Sequence, residues 1–309
     1  EMKDKKILPN VVTYVSLLKA CGMIGSLEIG EEIYGEIRKR GLLHGNLKLG
    51  TALVDMYAKC GSLEKAREIF GGLTSHDTAS WTSLLAGYAH NGHHDEAIKS
   101  FKDMQCEGIC PDSVTYLCIL KACGNAGSLE IGESIGSDLR RQGLLEKDVA
   151  LGNALLEMYV KCGAVEKAQE LFEWLPMRDA LSWTSLIAGY THLGLGDEAL
   201  KCFRHMQNEG VLPDAVTYAC VLKACGIVGS LNMGEEIGDE VKSQGLLHTE
   251  IVLGTALIDM YAKCGELQKA RGVFEELPVQ NVVSWVALMS GYAQIGQAKI
   301  VLELYTKMR

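Results

Sequence analysis

The feature that most constrains this chain is that it repeats itself every 102 residues. VTYVSLLKACG, VTYLCILKACG and VTYACVLKACG begin at Val12, Val114 and Val216, a step of 102 each time (114−12 and 216−114). LGTALVDMYAKCG, LGNALLEMYVKCG and LGTALIDMYAKCG begin at Leu49, Leu151 and Leu253, and SWTSLLAGYAHNG, SWTSLIAGYTHLG and SWVALMSGYAQIG begin at Ser80, Ser182 and Ser284. Self-similarity at a fixed period is the mark of a stacked array and has to be recognised before any fold is assigned. Each unit holds three sub-repeats. They fall at 11–46, 47–77 and 78–112, at 113–148, 149–179 and 180–214, and at 215–250, 251–281 and a truncated 282–309. Residues 1–10 read as the tail of a preceding repeat, since KILPN parallels GICPD and GVLPD.

Each sub-repeat reads as two helices joined by a turn. From Thr78, Leu84, Leu85 and Tyr88 share one helical face, Asn91-Gly92 breaks the chain, and Ala97, Ile98, Phe101 and Met104 share a second face before Gly108 and Pro111. One such pair buries too little apolar surface to stand alone, so the pairs must stack on their neighbours. The expected fold is all-α: a right-handed α-solenoid of about nine helix-turn-helix repeats. Apolar residues make up 48% of the 309, ample for such a core. Cys21, Cys123 and Cys225, like Cys60, Cys162 and Cys264, follow the same period. A cysteine that recurs once per unit is expected as a small packed thiol rather than half of a bridge. No C-x-x-C occurs, and no histidine cluster joins Cys106 and Cys110 in a zinc set, so no metal or other cofactor is expected.

Several functional classes are disfavoured. No run of about 18 apolar residues is present, so no membrane span is expected, and EMKDKKILPN carries no apolar segment of a signal peptide. His94-Asp95-Glu96 matches the H-x-E half of a zinc deaminase, but the P-C-x-x-C half is missing and the motif opens a second helix. No enzyme activity is expected of these residues. The balance of 39 acidic against 30 basic residues, net −9, argues against a strongly basic nucleic-acid footprint. Many of the acids, among them Glu28, Glu31, Glu32, Glu64, Glu130, Glu235 and Glu236, fall on second helices, which are expected to face away from the inner groove.

Repeat lengths of 36, 31 and 35 residues, the Pro-Asp endings, and the three openings quoted above resemble the pentatricopeptide repeat family. The length order is similar to its L, S and P motifs, the PLS subfamily of plant organelles, across essentially the whole chain. The resemblance implies that first helices line a concave surface and that residue five and the last residue of a repeat together read one base of single-stranded RNA. The pairs are Thr51 with Asp77, Thr82 with Asp112, Asn153 with Asp179, Thr184 with Asp214, and Thr255 with Asn281. By the family code Thr with Asp favours G, Asn with Asp favours U, and Thr with Asn favours A. The L repeats carry Val15, Leu117 and Ala219 at position five and the last repeat carries Val286, none of which can hydrogen-bond. The implied target is 5′-NGGNUGNA-3′. The competing reading is that these Thr, Asn and Asp residues are helix caps and turn formers. That explains the terminal Asp well but not the mid-helix change from Thr51 to Asn153 and back to Thr255.

The resemblance also implies that position two flanks the base: Val114, Leu181, Val216, Val252 and Val283 are suited, Ala79 and Ala150 are small, and Lys48 departs. It implies phosphate contact by Lys59, Lys161 and Lys263, for which a solvated surface lysine is the alternative. It further implies a place in C-to-U editing in mitochondrion or chloroplast, and docking of multiple organellar RNA editing factors on L repeats through Leu42, Leu43, Leu144, Leu145, Leu246 and Leu247, unless these leucines only pack the next repeat. Cut repeat ends would favour self-association. A protein-interaction scaffold that reads RNA weakly or not at all is the alternative function.

Overall fold

A computed structural model describes residues 8–308. Most of the stretch expected to be a preceding tail, and the final Arg309, lie outside the described residues. Two compact units divide the chain, Glu1–Met158 and Tyr159–Arg309. The helices of the first are α1 (Val11–Ile24), α2 (Leu27–Lys39), α3 (Leu47–Lys59), α4 (Leu63–Gly71), α5 (Thr78–His90), α6 (His94–Cys106), α7 (Ser113–Ala126) and α8 (Leu129–Arg141), with α9 (Val149–Lys161) at its end. The second unit contains α10 (Val165–Trp174), α11 (Ala180–His192), α12 (Gly196–Asn208), α13 (Ala215–Val228), α14 (Leu231–Ser243), α15 (Leu246–Thr249), α16 (Ile251–Lys263), α17 (Leu267–Glu276), α18 (Val282–Gln294) and α19 (Ala298–Met308). No strand occurs among the described residues.

Local chemistry sets the ends of these helices. Asn10, Asp77, Asp112, Asp179, Asp214 and Asn281 sit in extended backbone, and each accepts the amide three residues on, satisfying a donor that the first turn leaves without a partner. At Asp77, Asp112, Asp179 and Asp214 the third helical residue, a Ser or Thr, returns a hydroxyl to the cap, closing a capping box. The fourteen-residue α1, α7 and α13 stop at Gly25, Gly127 and Gly229, whose φ of 68°, 68° and 71° lies in the left-handed region that glycine enters without strain. The short α15 was not anticipated; the equivalent stretches after α2 and α8 are turns.

In each unit the helices form two layers. First helices pack on first helices, α1 on α3, α3 on α5 and α5 on α7, and α11 on α13, α13 on α16 and α16 on α18. Second helices bridge their own first helix and the next, as α2 does between α1 and α3, α4 between α3 and α5, and α12 between α11 and α13. The apolar faces read from the sequence are the buried ones: Leu84, Leu85, Tyr88, Ala97, Ile98, Phe101 and Met104 are all in the core. Tyr14, Tyr116 and Tyr218 are fully buried one period apart, with Tyr218 donating to Glu240 Oε1 at 2.7 Å. The cysteines are free thiols, and burial pushes the Cys225 thiol up to about 12, which leaves it inert at neutral pH.

Glycine permits the close crossing within the first-helix layer. A Cβ on Gly87 would meet the Cβ of Ala58 at 2.4 Å, and one on Gly291 would meet that of Ala262 at 2.6 Å. The same glycine recurs at Gly189 against Val160. Gly87→Val is therefore expected to destabilise the protein by about 1–3 kcal/mol through overpacking. Gly35→Ala, where nothing lies within 4 Å of the added carbon, should be neutral or stabilising by up to about 1 kcal/mol. Urea denaturation of both variants checks this; equal effects would remove the crossing as the cause.

Candidate nucleic-acid interface

The sequence-derived base readers occupy two kinds of place. Thr51, Thr82, Asn153, Thr184 and Thr255 lie in the second turn of α3, α5, α9, α11 and α16. The terminal residues Asp77, Asp112, Asp179, Asp214 and Asn281 are the N-caps of the next first helices. The capping and reading interpretations are therefore compatible. In each, Oδ1 accepts the backbone amide. The second oxygen of Asp77, Asp112 and Asp214, and Nδ2 of Asn281, take no hydrogen bond among the described residues. Asn153 and Thr184 are recessed, only 5% and 4% exposed.

Two of the threonines belong to hydrogen-bonded clusters that the sequence did not reveal. Thr82 Oγ1 lies 2.7 Å from Thr78 O and 2.6 Å from Thr115 Oγ1, which in turn lies 2.7 Å from Asp112 Oδ1. Thr184 repeats this against Ala180 O at 2.8 Å and Thr217 Oγ1 at 2.6 Å, with Thr217 Oγ1 2.8 Å from Asp214 Oδ1. The residues that follow repeats 47–77 and 251–281 differ. Ser80 and Ser284 donate to the carbonyls of Asp77 and Asn281 at 2.9 and 2.8 Å. Thr255 reaches only Ile251 O, at 3.3 Å.

Within each unit the position-two residues form an exposed, mostly apolar row. Val114, Leu181, Val216, Val252 and Val283 are 55–64% exposed, although each is a large aliphatic side chain on a helix with a buried face. Ala79, Ala150 and Lys48 are exposed as well. Val12, which the sequence reading passed over, belongs to the row at 71%. Across α13, α16 and α18, Val252 and Val283 line one groove of about 500 Å³ together with Thr255, Asn281 and Lys223, a size in the range of ligand clefts, roughly 300–1,000 Å³.

The lysines divide into two groups. Lys59 Nζ is 2.8 Å from Asp55, and Lys263 Nζ is 2.7 Å from Asp259, so each is paired one turn back on its own helix. Lys161 is exposed at the corresponding place. Lys19, Lys121 and Lys223, at position nine of the L repeats, are exposed and have no ion-pair partner among the described residues. Lys121 lines a groove with Ser83 and Cys118, and Lys223 the groove of Thr255. Their recurrence every 102 residues was visible in the sequence; that Lys121 and Lys223 line grooves was not. No group of three or more metal-ligating side chains that could hold an ion occurs among the described residues.

Of the leucines considered for partner docking, Leu145 and Leu247 are buried, 2% and 3% exposed. Those two side chains are core, not docking surface.

Comparison with known proteins places this geometry in a class. The models described as PPR repeat family, pentatricopeptide repeat domain and PPR repeat match residues 76–125 and 178–226, 1–43, and 51–77, 153–173, 255–282 and 283–309 respectively. The chain belongs to the pentatricopeptide repeat family, with that family's all-helical solenoid fold. Among its relatives, a chloroplastic pentatricopeptide repeat-containing protein of Arabidopsis thaliana is 38% identical over 99% of this chain and 49% of its own length. A mitochondrial one from the same plant is 36% identical over 99% of this chain and 44% of its own length. The chain thus spans about half the length of these curated relatives. The crystal structure of the pentatricopeptide repeat protein PPR10 in complex with an 18-nt psaJ RNA element superposes with a TM-score of 0.72 at 18% identity, over 99% of this chain and 51% of that one.

Because the terminal aspartates cap helices, their removal has a cost independent of any ligand. Asp112→Ala is expected to lower stability by about 1 kcal/mol, and Asp112→Asn, which keeps an Oδ1 acceptor, by less. Chemical denaturation without ligand tests this; no loss on Asp112→Ala would mean that the cap contributes nothing.

Proposed function

We propose that this chain binds single-stranded RNA sequence-specifically, one base for each of the five repeats with a polar residue at position five, as the targeting module of organellar C-to-U editing. The observation that carries the reading is the groove in which exposed Val252 and Val283 flank the polar pair Thr255 and Asn281. Apolar walls accept the faces of a base, and the polar floor meets its edge. The RNA complex of PPR10, at a TM-score of 0.72, supports the same use of the fold. The chloroplastic and mitochondrial names of the Arabidopsis relatives support an organellar setting. The PLS order of repeat lengths supports the editing role. The L repeats, with Val15, Leu117 and Ala219 at position five, read no base. They hold the phosphate backbone through Lys19, Lys121 and Lys223 and leave their outer surface to editing-factor partners.

The expected target is 5′-NGGNUGNA-3′. A mobility-shift titration at stated salt, with this RNA and with U replaced by G, checks it against wild type and Asn153→Thr. Wild type should favour U, and the variant should reverse the preference by about tenfold or more. Absence of binding to either single strand at low salt would favour the protein-interaction scaffold instead.

The lysine assignment predicts a salt dependence. Replacing Lys19, Lys121 and Lys223 together by Ala should flatten the slope of log affinity against log salt by about 2, from about 0.7 per neutralised phosphate on a single strand. Replacing Lys59 and Lys263 should change it less, since their charges are already met by Asp55 and Asp259. Equal changes in the two sets would return the phosphate role to the S-repeat lysines.

A further inference from the structure

Thr82 and Thr184 sit in clusters with more contacts than protons. Around Thr82 three short oxygen–oxygen contacts, to Thr78 O, between Thr82 and Thr115, and from Thr115 to Asp112 Oδ1, measure 2.7, 2.6 and 2.7 Å. Only two hydroxyl protons are available to them. Two oxygens 2.6 Å apart need a proton between them, so one proton always lies on the Thr82–Thr115 contact. If Thr82 supplies it, Thr115 donates to Asp112; if Thr115 supplies it, Thr82 donates to Thr78 O. The charge on Asp112 favours the first arrangement. In both, the Thr82 proton is engaged inside the protein, and only oxygen lone pairs are left for a ligand. The same count applies to Thr184, Thr217 and Asp214.

We propose that Thr115 and Thr217 are specificity-determining residues that act through the preceding repeat, fixing Thr82 and Thr184 as hydrogen-bond acceptors and so sharpening selection of guanine. This rests on the base-reading function proposed above. Thr82 Oγ1 and Asp112 Oδ2 together offer a base edge two acceptors and no donor. Guanine matches with adjacent donors, N1–H and the 2-amino group. Adenine and cytosine place a bare ring nitrogen on that edge, and uracil has one N–H between two carbonyls. Capping alone does not account for Thr115, because Asp77 and Asn281 cap α5 and α18 while the third helical residues there, Ser80 and Ser284, bond to backbone carbonyls rather than to a preceding threonine. Thr51 in the S repeat therefore keeps a hydroxyl that turns either way. Two repeats with the same Thr and Asp readers, 47–77 and 78–112, should differ in stringency.

The test measures affinities for 5′-NGGNUGNA-3′ and for versions with A at base two, three or six, facing Thr51, Thr82 and Thr184. Wild type should discriminate G from A more strongly at bases three and six than at base two. Thr115→Val should cut discrimination at base three by about tenfold, the value of one hydrogen bond, and leave bases two and six unchanged. Thr217→Val should do the same at base six alone, and Thr115→Ser, whose freer hydroxyl turns to the Asp112 carbonyl as that of Ser80 turns to Asp77, should lower discrimination at base three toward that at base two. Unchanged discrimination in folded Thr115→Val or Thr217→Val, or an equal loss at all three bases, would overturn the role of these threonines while leaving base reading intact. A wild-type protein equally selective at bases two and three would overturn it without any variant. No preference for G at any of the three would overturn base reading itself, and this proposal with it.

Discussion

The arrangement depends on the carboxylate or amide that begins a first helix. Asp77, Asp112, Asp179, Asp214 and Asn281 each end one repeat and cap the first helix of the next. The cap holds the incoming chain in extended backbone and fixes where the following helix starts. That start decides which residue stands at position five and which at position two. A slip of one residue would rotate the helix by about 100° and carry both Thr255 and Val252 off the groove. The energy of one cap is small, about 1 kcal/mol, but its recurrence keeps the repeats in step.

The second constraint is electrostatic. A chain of net charge −9 can present a groove to a polyanion only if its acids are kept elsewhere or neutralised. The outer layer accomplishes part of this by pairing between neighbouring repeats: Lys65 on α4 meets Glu31 on α2, and Lys269 on α17 meets Glu235 on α14. Exposed pairs of this kind contribute little stability. They do locate carboxylates on second helices, away from Thr51 and Thr255. Asp55 and Asp259 are matched by Lys59 and Lys263, whereas Lys19, Lys121 and Lys223 have no ion-pair partner among the described residues.

Much of this was legible in the sequence because the 102-residue period and the 3.6-residue helical period are both local patterns. Leu84, Leu85, Tyr88, Phe101 and Met104 fell on buried faces as their spacing required. The exposed valines at position two were recognisable only through family resemblance, since Val114 and Val216 would otherwise pass for core. What escaped depends on neighbours distant in sequence. The contact of Thr82 with Thr115 spans 33 residues, and no periodicity in a single helix indicates it. The burial of Leu145 and Leu247, beside the half-buried Leu144 and Leu246, was likewise not indicated by spacing. The pairing of Lys59 with Asp55, four residues apart on one helix, was within reach of spacing alone.

A reader residue in such an array has no fixed chemistry of its own. Thr51 and Thr82 are the same amino acid at the same position of their repeats, each with an aspartate at the end. Yet the residue behind the second is Thr115, whose hydroxyl reaches back at 2.6 Å, while the residue behind the first is Ser80, whose hydroxyl turns to a backbone carbonyl. One methyl group separates Ser from Thr. Threonine's branched Cβ restricts χ1 and limits where its hydroxyl can point, whereas serine is freer to follow the local carbonyl. The hydrogen-bonding character at position five of one repeat is thus set in part by the third helical residue of its successor, so under the proposed base reading the order of the repeats bears on recognition as well as on length.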